Sequence, residues 1–169
     1  GVKFTDGEAL TASDVVFTFE TAKTSQSSLD LTFLEKVEAP DDRTVVFTMS
    51  KPTSTFLNTV ATVGSVPEHA YGPGYGDAPI GSGPFKFVQW NKQEQLILEA
   101  NEDYYGAVPA MKKVTIVFQD EDAAFAAVKA GQVDIALTAA TLADAEIPGY
   151  TLQAVTTADN RGLTLPMVP

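Results

Sequence analysis

Ser82 lies between Gly81 and Gly83 in the stretch PIGSGPFKFVQW, a setting that invites two chemical interpretations. A phosphate-binding loop needs its glycines to open a helix, so that backbone N–H groups converge on the anion. A serine nucleophile turn also leads into a helix and needs a histidine base. Here Pro84 and an alternating apolar run follow, which predicts a strand. We therefore interpret the glycines as required for backbone shape and expect Gly83→Val to damage folding, with Ser82→Ala nearly silent.

His69 is the only histidine and the chain has no cysteine, so no transition-metal ligand set can be completed from these residue types. A solvated or hydrogen-bonded His69 is the simpler interpretation, and a catalytic Ser82–His69 pair lacks its sequence context. The acids at 120–122 lack the alternating ligands of a calcium loop and fit a helix N-terminus instead. The sequence predicts no catalytic residue, no metal site and no cofactor.

The 169 residues carry 22 acidic and 11 basic side chains, a formal net charge of -11. This balance argues against a nucleic-acid partner, because phosphates attract clustered lysine and arginine. No apolar run is long enough for a membrane span. The first residues lack the features of a signal peptide and resemble the interior of a domain.

The first half of the chain predicts a helix and a hairpin. Thr11 and Asp14 have the spacing of a capping box, and the following apolar stripe predicts a helix that ends within 23–25. Two β-rich runs flank the turn residues 39–42. A short helix and then a long surface loop, rich in glycine and proline, are predicted up to residue 80.

The second half predicts a hairpin that starts at Phe85, then a strand, a helix and a strand over 114–138. Asp120 begins that helix and Gly131 follows its end. The two strands are expected to be parallel, as in a β-α-β unit. The class is α/β or mixed α+β. Five aromatic residues would form either a ligand surface or parts of the core: Tyr71, Tyr75, Trp90, Tyr104 and Tyr105.

Five segments in register resemble the extracytoplasmic solute-binding proteins of peptide and nickel ABC importers, family 5. They read GVKFTDGEALTASDVVFTFE, VEAPDDRTVVFTMSKPTSTFL, PIGSGPFKFVQW, LILEANEDYYG and AAFAAVKAGQVDIAL. The resemblance covers nearly the whole chain. It implies a fragment of a periplasmic-binding-protein-like (type II) fold, in which residues 1–80 belong to an additional small α+β domain and 81–169 to part of the first ligand-binding lobe.

The function that the resemblance implies is capture of a peptide, or of nickel or another small solute, without catalysis. The expected partners are that solute and the transmembrane subunits of an ABC permease, and a monomer is expected. The location would be periplasmic or at the extracellular face of the cytoplasmic membrane, with a lipid anchor in some full-length members. A ligand-sensing regulatory domain with the same fold, or a hydrolase, remains an alternative.

The resemblance also points to candidate ligand-binding residues in two segments. The end of VDIALT corresponds to a strand whose last residues face the ligand, and TTADNRG corresponds to a segment that lines the cleft. The candidates are Leu137, Thr138, Ala158, Asp159, Asn160 and Arg161. Arg161 would meet a carboxylate or form an ion pair with a neighbouring acid.

Overall fold

The computed structural model describes residues 1–25, 29–137 and 146–153. The chain divides into two compact units, Gly1–Phe118 and Gln119–Pro169. The helices and strands of the described residues, in chain order, are α1 (Ala12–Thr24), β1 (Leu34–Asp41), β2 (Thr44–Met49), α2 (Phe56–Thr62), β3 (Phe85–Asn91), β4 (Gln95–Ala100), β5 (Lys113–Val117) and α3 (Glu121–Lys129). Two antiparallel sheets and three helices confirm the mixed α+β class. No helix in this part of the chain has the length and apolar character to cross a membrane.

Helix α1 begins where the sequence predicts. The carboxylate of Asp14 accepts hydrogen bonds from the backbone N–H and the hydroxyl of Thr11, each at 2.9 Å. These bonds satisfy groups that a helix start otherwise leaves without partners. The helix ends at Thr24, and the N–H of Ser25 still donates to the carbonyl of Thr21 at 3.0 Å. Both predicted ends are confirmed.

The first hairpin packs one face of β1 and β2 against α1 and α2. The strands pair antiparallel, but the turn is tighter than predicted: Asp41 is paired with Thr44, so the strand runs through Pro40. The buried centre is an apolar cluster in which the ring of Phe47 contacts Phe19 and Phe56 edge-on, with centroids 4.9 and 5.4 Å away. The cluster's buried members are Phe19, Leu34, Val37 and Phe56. This is the core of the first half of the chain.

The predicted surface loop between α2 and β3 contains two short 3-10 turns, Glu68–Ala70 and Tyr75–Asp77. Its first part is held against α1. Pro67 is fully buried, the N–H of Val66 donates to the Thr18 hydroxyl at 3.0 Å, and the N–H of Glu68 donates to the Asp14 carboxylate at 3.1 Å. The high glycine and proline content correctly predicts an irregular backbone. It gives no signal that residues 66–68 are held against α1.

The second sheet has the strand order β3-β4-β5, and both neighbouring pairs are antiparallel. The hairpin β3-β4 is confirmed; its turn places Gln93 at a φ of 69°. The parallel β-α-β unit is not found in the described residues. Strand β5 pairs antiparallel with β4, and residues 130–137, which follow α3, form no strand. A short apolar run predicts a strand, but it does not say whether the neighbouring strand runs parallel or antiparallel to it. That direction depends on long-range contacts.

In the second unit, α3 has the predicted ends. The Asp120 carboxylate accepts the N–H of Ala123 at 2.7 Å, and Gly131 follows the helix at a φ of 68°. Ala127 and Val128 are buried, and Phe125 is half-buried. The cap and the left-handed glycine explain why this nine-residue helix begins and ends where it does.

Asp14 gives a stability prediction because its carboxylate connects two parts of the chain. Burial alone would raise the pKa of Asp14, but hydrogen bonds from the Thr11 N–H, the Glu68 N–H and the Thr11 hydroxyl outweigh burial, and the pKa is lowered. We expect Asp14→Asn to lower the free energy of unfolding at neutral pH by about 1–3 kcal/mol, because an NH₂ group replaces one of the two acceptor oxygens and cannot accept from the donors that face it. Urea unfolding measures the change, and Asp42→Asn on the exposed hairpin turn should stay within about 0.5 kcal/mol.

The same carboxylate makes part of the stability depend on pH. A group whose pKa is lower in the folded than in the unfolded state stabilises the fold above its unfolded pKa of about 3.9. That contribution is lost as the pH falls through the lowered folded pKa. The unfolding free energy of the wild type should therefore drop more steeply below about pH 4 than that of Asp14→Asn. Equal slopes for the two proteins would contradict this assignment.

Candidate functional site

Of the candidate ligand-binding residues, the structure describes Leu137. Leu137 is 87% exposed, and Ile135 is 85% exposed. Both side chains are therefore accessible to a ligand or another part of the protein. The other candidates lie outside the described residues and remain predictions: Thr138, Ala158, Asp159, Asn160 and Arg161. In the same unit, the Tyr150 hydroxyl donates to the Val133 carbonyl at 2.6 Å, which ties residues 146–153 to the segment just before Leu137.

Ser82 and His69, the pair considered for nucleophilic chemistry, are not joined by a hydrogen bond in the described structure. The His69 Nε2 atom is 2.8 Å from the Asp6 carboxylate. Burial would raise the pKa of Asp6, but the hydrogen bonds from His69 and from the Glu8 N–H outweigh it, so the pKa is lowered. The His69 side chain is 46% exposed, and the pair is a surface contact that fixes the 3-10 turn to the N-terminal residues. A hydrogen-bonded His69 was predicted and is confirmed.

The bend at residues 81–83, which we call the GSG bend, is held from both sides. The N–H of Thr5 donates to the Gly81 carbonyl at 2.7 Å. On the other side, the Asn101 side-chain amide donates to the Gly83 carbonyl at 2.9 Å, and the Asn101 N–H donates to the Pro84 carbonyl at 2.8 Å. Asn101 is only 2% exposed. The bend therefore gets its shape from two distant residues.

The expectation that Gly81 and Gly83 are required for backbone shape is wrong. Neither glycine has a positive φ, and a Cβ atom built on either would meet no atom within 4 Å. A Cβ atom alone at position 83 therefore gives no steric reason for damage to the fold. The side chain of Ser82 makes no hydrogen bond here, in line with a nearly silent Ser82→Ala.

Glycine requirements can be tested by comparing Gly83 with Gly7, whose φ is 98°. We expect Gly83→Ala to change the unfolding free energy by less than about 0.5 kcal/mol. Gly7→Ala should cost about 1 kcal/mol or more, because a Cβ atom is strained at positive φ. Urea unfolding of both variants checks the order, and a larger loss at Gly83 would contradict it.

Asn101 should matter more to the bend than its glycines. In Asn101→Ala the Gly83 carbonyl loses its donor and the N–H of Asp103, which donates to the Asn101 side chain at 3.2 Å, loses its acceptor. We expect a loss of about 2 kcal/mol in unfolding free energy. The matched control is Asn58→Ala on the exposed face of α2, with a change within about 0.5 kcal/mol. An equal effect of both variants would refute a special role for Asn101.

An apolar hollow of about 460 Å³ lies over one face of the second sheet, next to the GSG bend. Its lining is mostly aromatic and aliphatic, with the Thr5 hydroxyl and the glycine backbone as polar parts. The lining residues are Thr5, Gly76, Pro79, Ile80, Gly81, Gly83, Phe85, Phe87, Trp90, Leu96, Leu98 and Phe118. Such a lining suits an apolar group and gives a charged solute no partner.

A second, smaller groove of about 220 Å³ lies between α1 and the residues after α2. Threonines contribute much of its polar lining, including Thr18, Thr21 and Thr62. The Thr18 hydroxyl is already engaged, since it donates to the Asp14 carbonyl at 2.7 Å. Within the described residues, no group of three or more His, Asp or Glu side chains is placed to hold a metal ion.

The aromatic residues are divided among separate places. Tyr71 contacts Tyr75 with ring centroids 5.0 Å apart, and Tyr104 contacts Tyr105 at 4.6 Å. The Tyr75 hydroxyl donates to the Ile80 carbonyl, and burial raises the pKa of this phenol. Trp90 lines the hollow. No ring contact in the described structure joins the two tyrosine pairs to each other or to Trp90, so these residues form no continuous aromatic ligand surface.

Comparison with known proteins assigns the family. A profile described as Bacterial extracellular solute-binding proteins, family 5 Middle, matches residues 1–167. The chain belongs to this family of solute-binding proteins, and the resemblance seen in the sequence is confirmed. Its fold is part of the periplasmic-binding-protein fold that solved members share, as the following structural similarities show.

Three relatives illustrate the match. The oligopeptide-binding protein AppA of Bacillus subtilis is 35% identical over 150 residues, and its structure in complex with a nonapeptide superposes with a TM-score of 0.72 over 79% of this chain, at 34% identity. NikZ from Campylobacter jejuni in complex with Ni(L-His) has a TM-score of 0.78 and 30% identity over 83% of this chain. MoaA from A. tumefaciens in complex with mannopinic acid has a TM-score of 0.70 and 30% identity over 79%.

The match covers only part of each relative. The chain spans 28% of the length of AppA in the sequence comparison, and 30%, 31% and 29% of the AppA, NikZ and MoaA structures. The described residues therefore correspond to less than a third of a solute-binding protein of this family.

Proposed function

We propose that a family-length protein, meaning one as long as these relatives and containing this chain, captures a peptide outside the cytoplasmic membrane and delivers it to an ABC permease. The observation that carries the proposal is the family match over residues 1–167, together with a relative named as an oligopeptide-binding protein. Related proteins are found in complex with Ni(L-His) and with mannopinic acid, so the solute class needs direct measurement.

Such capture is noncovalent: no covalent bond is made or broken. In peptide binders, an extended ligand is held through its backbone, much as an added strand, while pockets accept its side chains. For this chain we propose contacts from Leu137, Thr138 and the segment 158–161. Leu137 is exposed and apolar, as a contact for a peptide side chain should be. Arg161 would pair with a carboxylate of the peptide.

Two observations favour capture over hydrolysis. The Ser82 side chain has no hydrogen bond in the described structure, and His69 Nε2 is paired with Asp6. A serine nucleophile would need a base within hydrogen-bond reach. The full-length reading frame distinguishes a regulatory domain with the same fold from an importer component. A regulatory domain would be joined to a DNA-binding helical segment, whereas an importer component would begin with a signal peptide.

Native mass spectrometry of the family-length protein, purified from its own cells, tests the solute class directly. A co-purified mass series of short peptides supports the proposal. A single mass that contains nickel, or a single small acid, would replace peptides by that solute. The measurement needs no prior choice of ligand.

We predict that the 169-residue chain binds peptides weakly or not at all, whereas the family-length protein binds them tightly. Two lobes that close around a solute share the contacts and exclude water, so one part alone loses most of the affinity. Isothermal titration calorimetry with the co-purified peptide compares the two proteins. Tight, stoichiometric binding by the 169-residue chain would contradict the prediction.

The same titration tests Arg161 in the family-length protein. Arg161→Ala should weaken peptide binding by about tenfold or more, because a charged hydrogen bond contributes about 1.5–3 kcal/mol. The matched control is Arg43→Ala, which removes the chain's other arginine from the exposed turn of the first hairpin. Equal affinities of the two variants would remove Arg161 from the site.

A further inference from the structure

Asp6 and Gly7 form the only Asp–Gly sequence in the chain, and the sequence contains no Asn–Gly. In such a dipeptide the backbone nitrogen of the glycine can attack the γ-carbon of the aspartic acid, because the missing Cβ atom leaves the nitrogen open to approach. The new N–C bond closes a succinimide ring, and the carboxyl hydroxyl leaves as water with the N–H proton. Water then reopens the ring. Opening at the backbone carbonyl gives an isoaspartyl residue, so the net reaction is an isomerisation.

The folded chain holds both carboxylate oxygens of Asp6. The Oδ1 atom accepts the N–H of Glu8 at 3.1 Å, and the Oδ2 atom lies 2.8 Å from Nε2 of His69. Burial would raise the pKa of Asp6, but the hydrogen bonds from His69 and from the Glu8 N–H outweigh it, and the pKa is lowered. The reaction needs a protonated carboxyl group that turns toward the Gly7 nitrogen. The same two hydrogen bonds therefore oppose both the protonation and the rotation.

The attacking nitrogen is held as well. The N–H of Gly7 donates to the Phe4 carbonyl at 3.0 Å, and the N–H of Phe4 donates to the Glu8 carbonyl at 2.8 Å. Phe4 is only 2% exposed, so this turn is anchored in the interior of the first unit. Gly7 itself is fixed at a φ of 98°. The nitrogen can therefore approach the Asp6 γ-carbon only when the turn opens locally.

Burial does not explain the protection of this dipeptide. The Asp6 side chain is 27% exposed, and Gly7 is exposed too, so water reaches the reacting atoms. His69 is the partner that comes from a distant part of the chain, 63 residues away. Its ring lies edge-on to the buried Phe4 ring with centroids 6.4 Å apart, which orients the imidazole toward Asp6.

We propose that Asp6 is a latent isoaspartate site, which the folded chain keeps unreactive by holding its carboxylate between His69 and the Glu8 N–H. The modification would lengthen the backbone between Thr5 and Gly7 by one carbon atom. It would thereby loosen the Asp6–His69 contact and the neighbouring bond from the Thr5 N–H to the Gly81 carbonyl. The proposal concerns the polypeptide itself and does not depend on which solute is bound.

Ageing of the 169-residue chain at neutral pH, folded and in urea, tests the proposal. The tryptic peptide 4–23 contains the site. Chromatography separates its isomers, and electron-transfer fragmentation locates the isoaspartate. We expect isomerisation at Asp6 to be at least about tenfold faster in urea, because the folded chain must first open locally. Equal rates in the two conditions, or no isomerisation in urea, would overturn the proposal.

Two variants of His69 test its part in the protection. His69→Ala should speed the isomerisation of the folded chain about two- to fivefold, the range expected for loss of one exposed ion pair. His69→Gln keeps an N–H donor for the Asp6 carboxylate and should stay close to the wild type. In urea all three proteins should react at one rate. A folded His69→Ala chain as slow as the wild type, or a glutamine variant as fast as the alanine variant, would refute the role of the His69 hydrogen bond.

The matched control is Asn101→Ala, which destabilises the fold without touching the Asp6–Gly7 turn. Urea unfolding gives the stability of both variants. Isomerisation should rise more in His69→Ala than in Asn101→Ala, although the asparagine variant is expected to lose more stability. A rise that follows only the loss of global stability would overturn the proposal, because the local contact would then contribute nothing.

The consequence of the modification is measured on the isomerised chain, aged in urea and then refolded. The Thr5 amide, which donates to the Gly81 carbonyl at 2.7 Å, should exchange its hydrogen at least about tenfold faster than in the unmodified chain. Amides in the centre of β4 should be unaffected. Unchanged exchange at Thr5 would show that the turn tolerates the extra carbon atom and would refute this consequence.

Discussion

The buried carboxylate of Asp14 is the interaction on which the first part of the fold depends. It accepts hydrogen bonds from Thr11 at the start of α1 and from the N–H of Glu68, fifty-four residues later in the chain. One ionised group thereby sets the helix start and fixes the segment that leads toward β3. A buried carboxylate stabilises a fold only when such donors compensate its lost hydration, and here backbone N–H groups do so.

That anchor explains how a segment rich in glycine and proline can lead to the second sheet without regular structure of its own. Beyond the buried Pro67, the chain is fixed at His69 by Asp6 and then at the GSG bend, where Thr5 holds Gly81 and Asn101 holds Gly83. Between these points the Tyr75 hydroxyl donates to Ile80. Backbone carbonyls that no helix or strand satisfies are thus satisfied by the Thr5 N–H, the Asn101 side chain and the nearby Tyr75 hydroxyl.

The sequence predicts those features that short-range chemistry determines. The capping pattern of Thr11 and Asp14, the left-handed Gly131 after α3 and both hairpins follow from neighbours a few residues apart. The bond from Asn101 to Gly83 and the antiparallel partner of β5 depend on contacts that no local pattern encodes. The candidate ligand residues came from family resemblance, and Leu137 alone among them falls in the described part of the chain. A short segment such as the one that ends at Leu137 carries no local signal for solute contact.

The distribution of polarity limits what this chain can do by itself. Its charges are mostly acidic and lie along the whole sequence, whereas the hollow over the second sheet has a mostly aromatic and aliphatic lining. A site for a charged solute needs a charged partner, and none of the residues that line the hollow is charged. The lining of the hollow therefore suits apolar side chains and gives a charged group no partner. The solute contacts proposed above, Leu137 among them, come from a different part of the sequence.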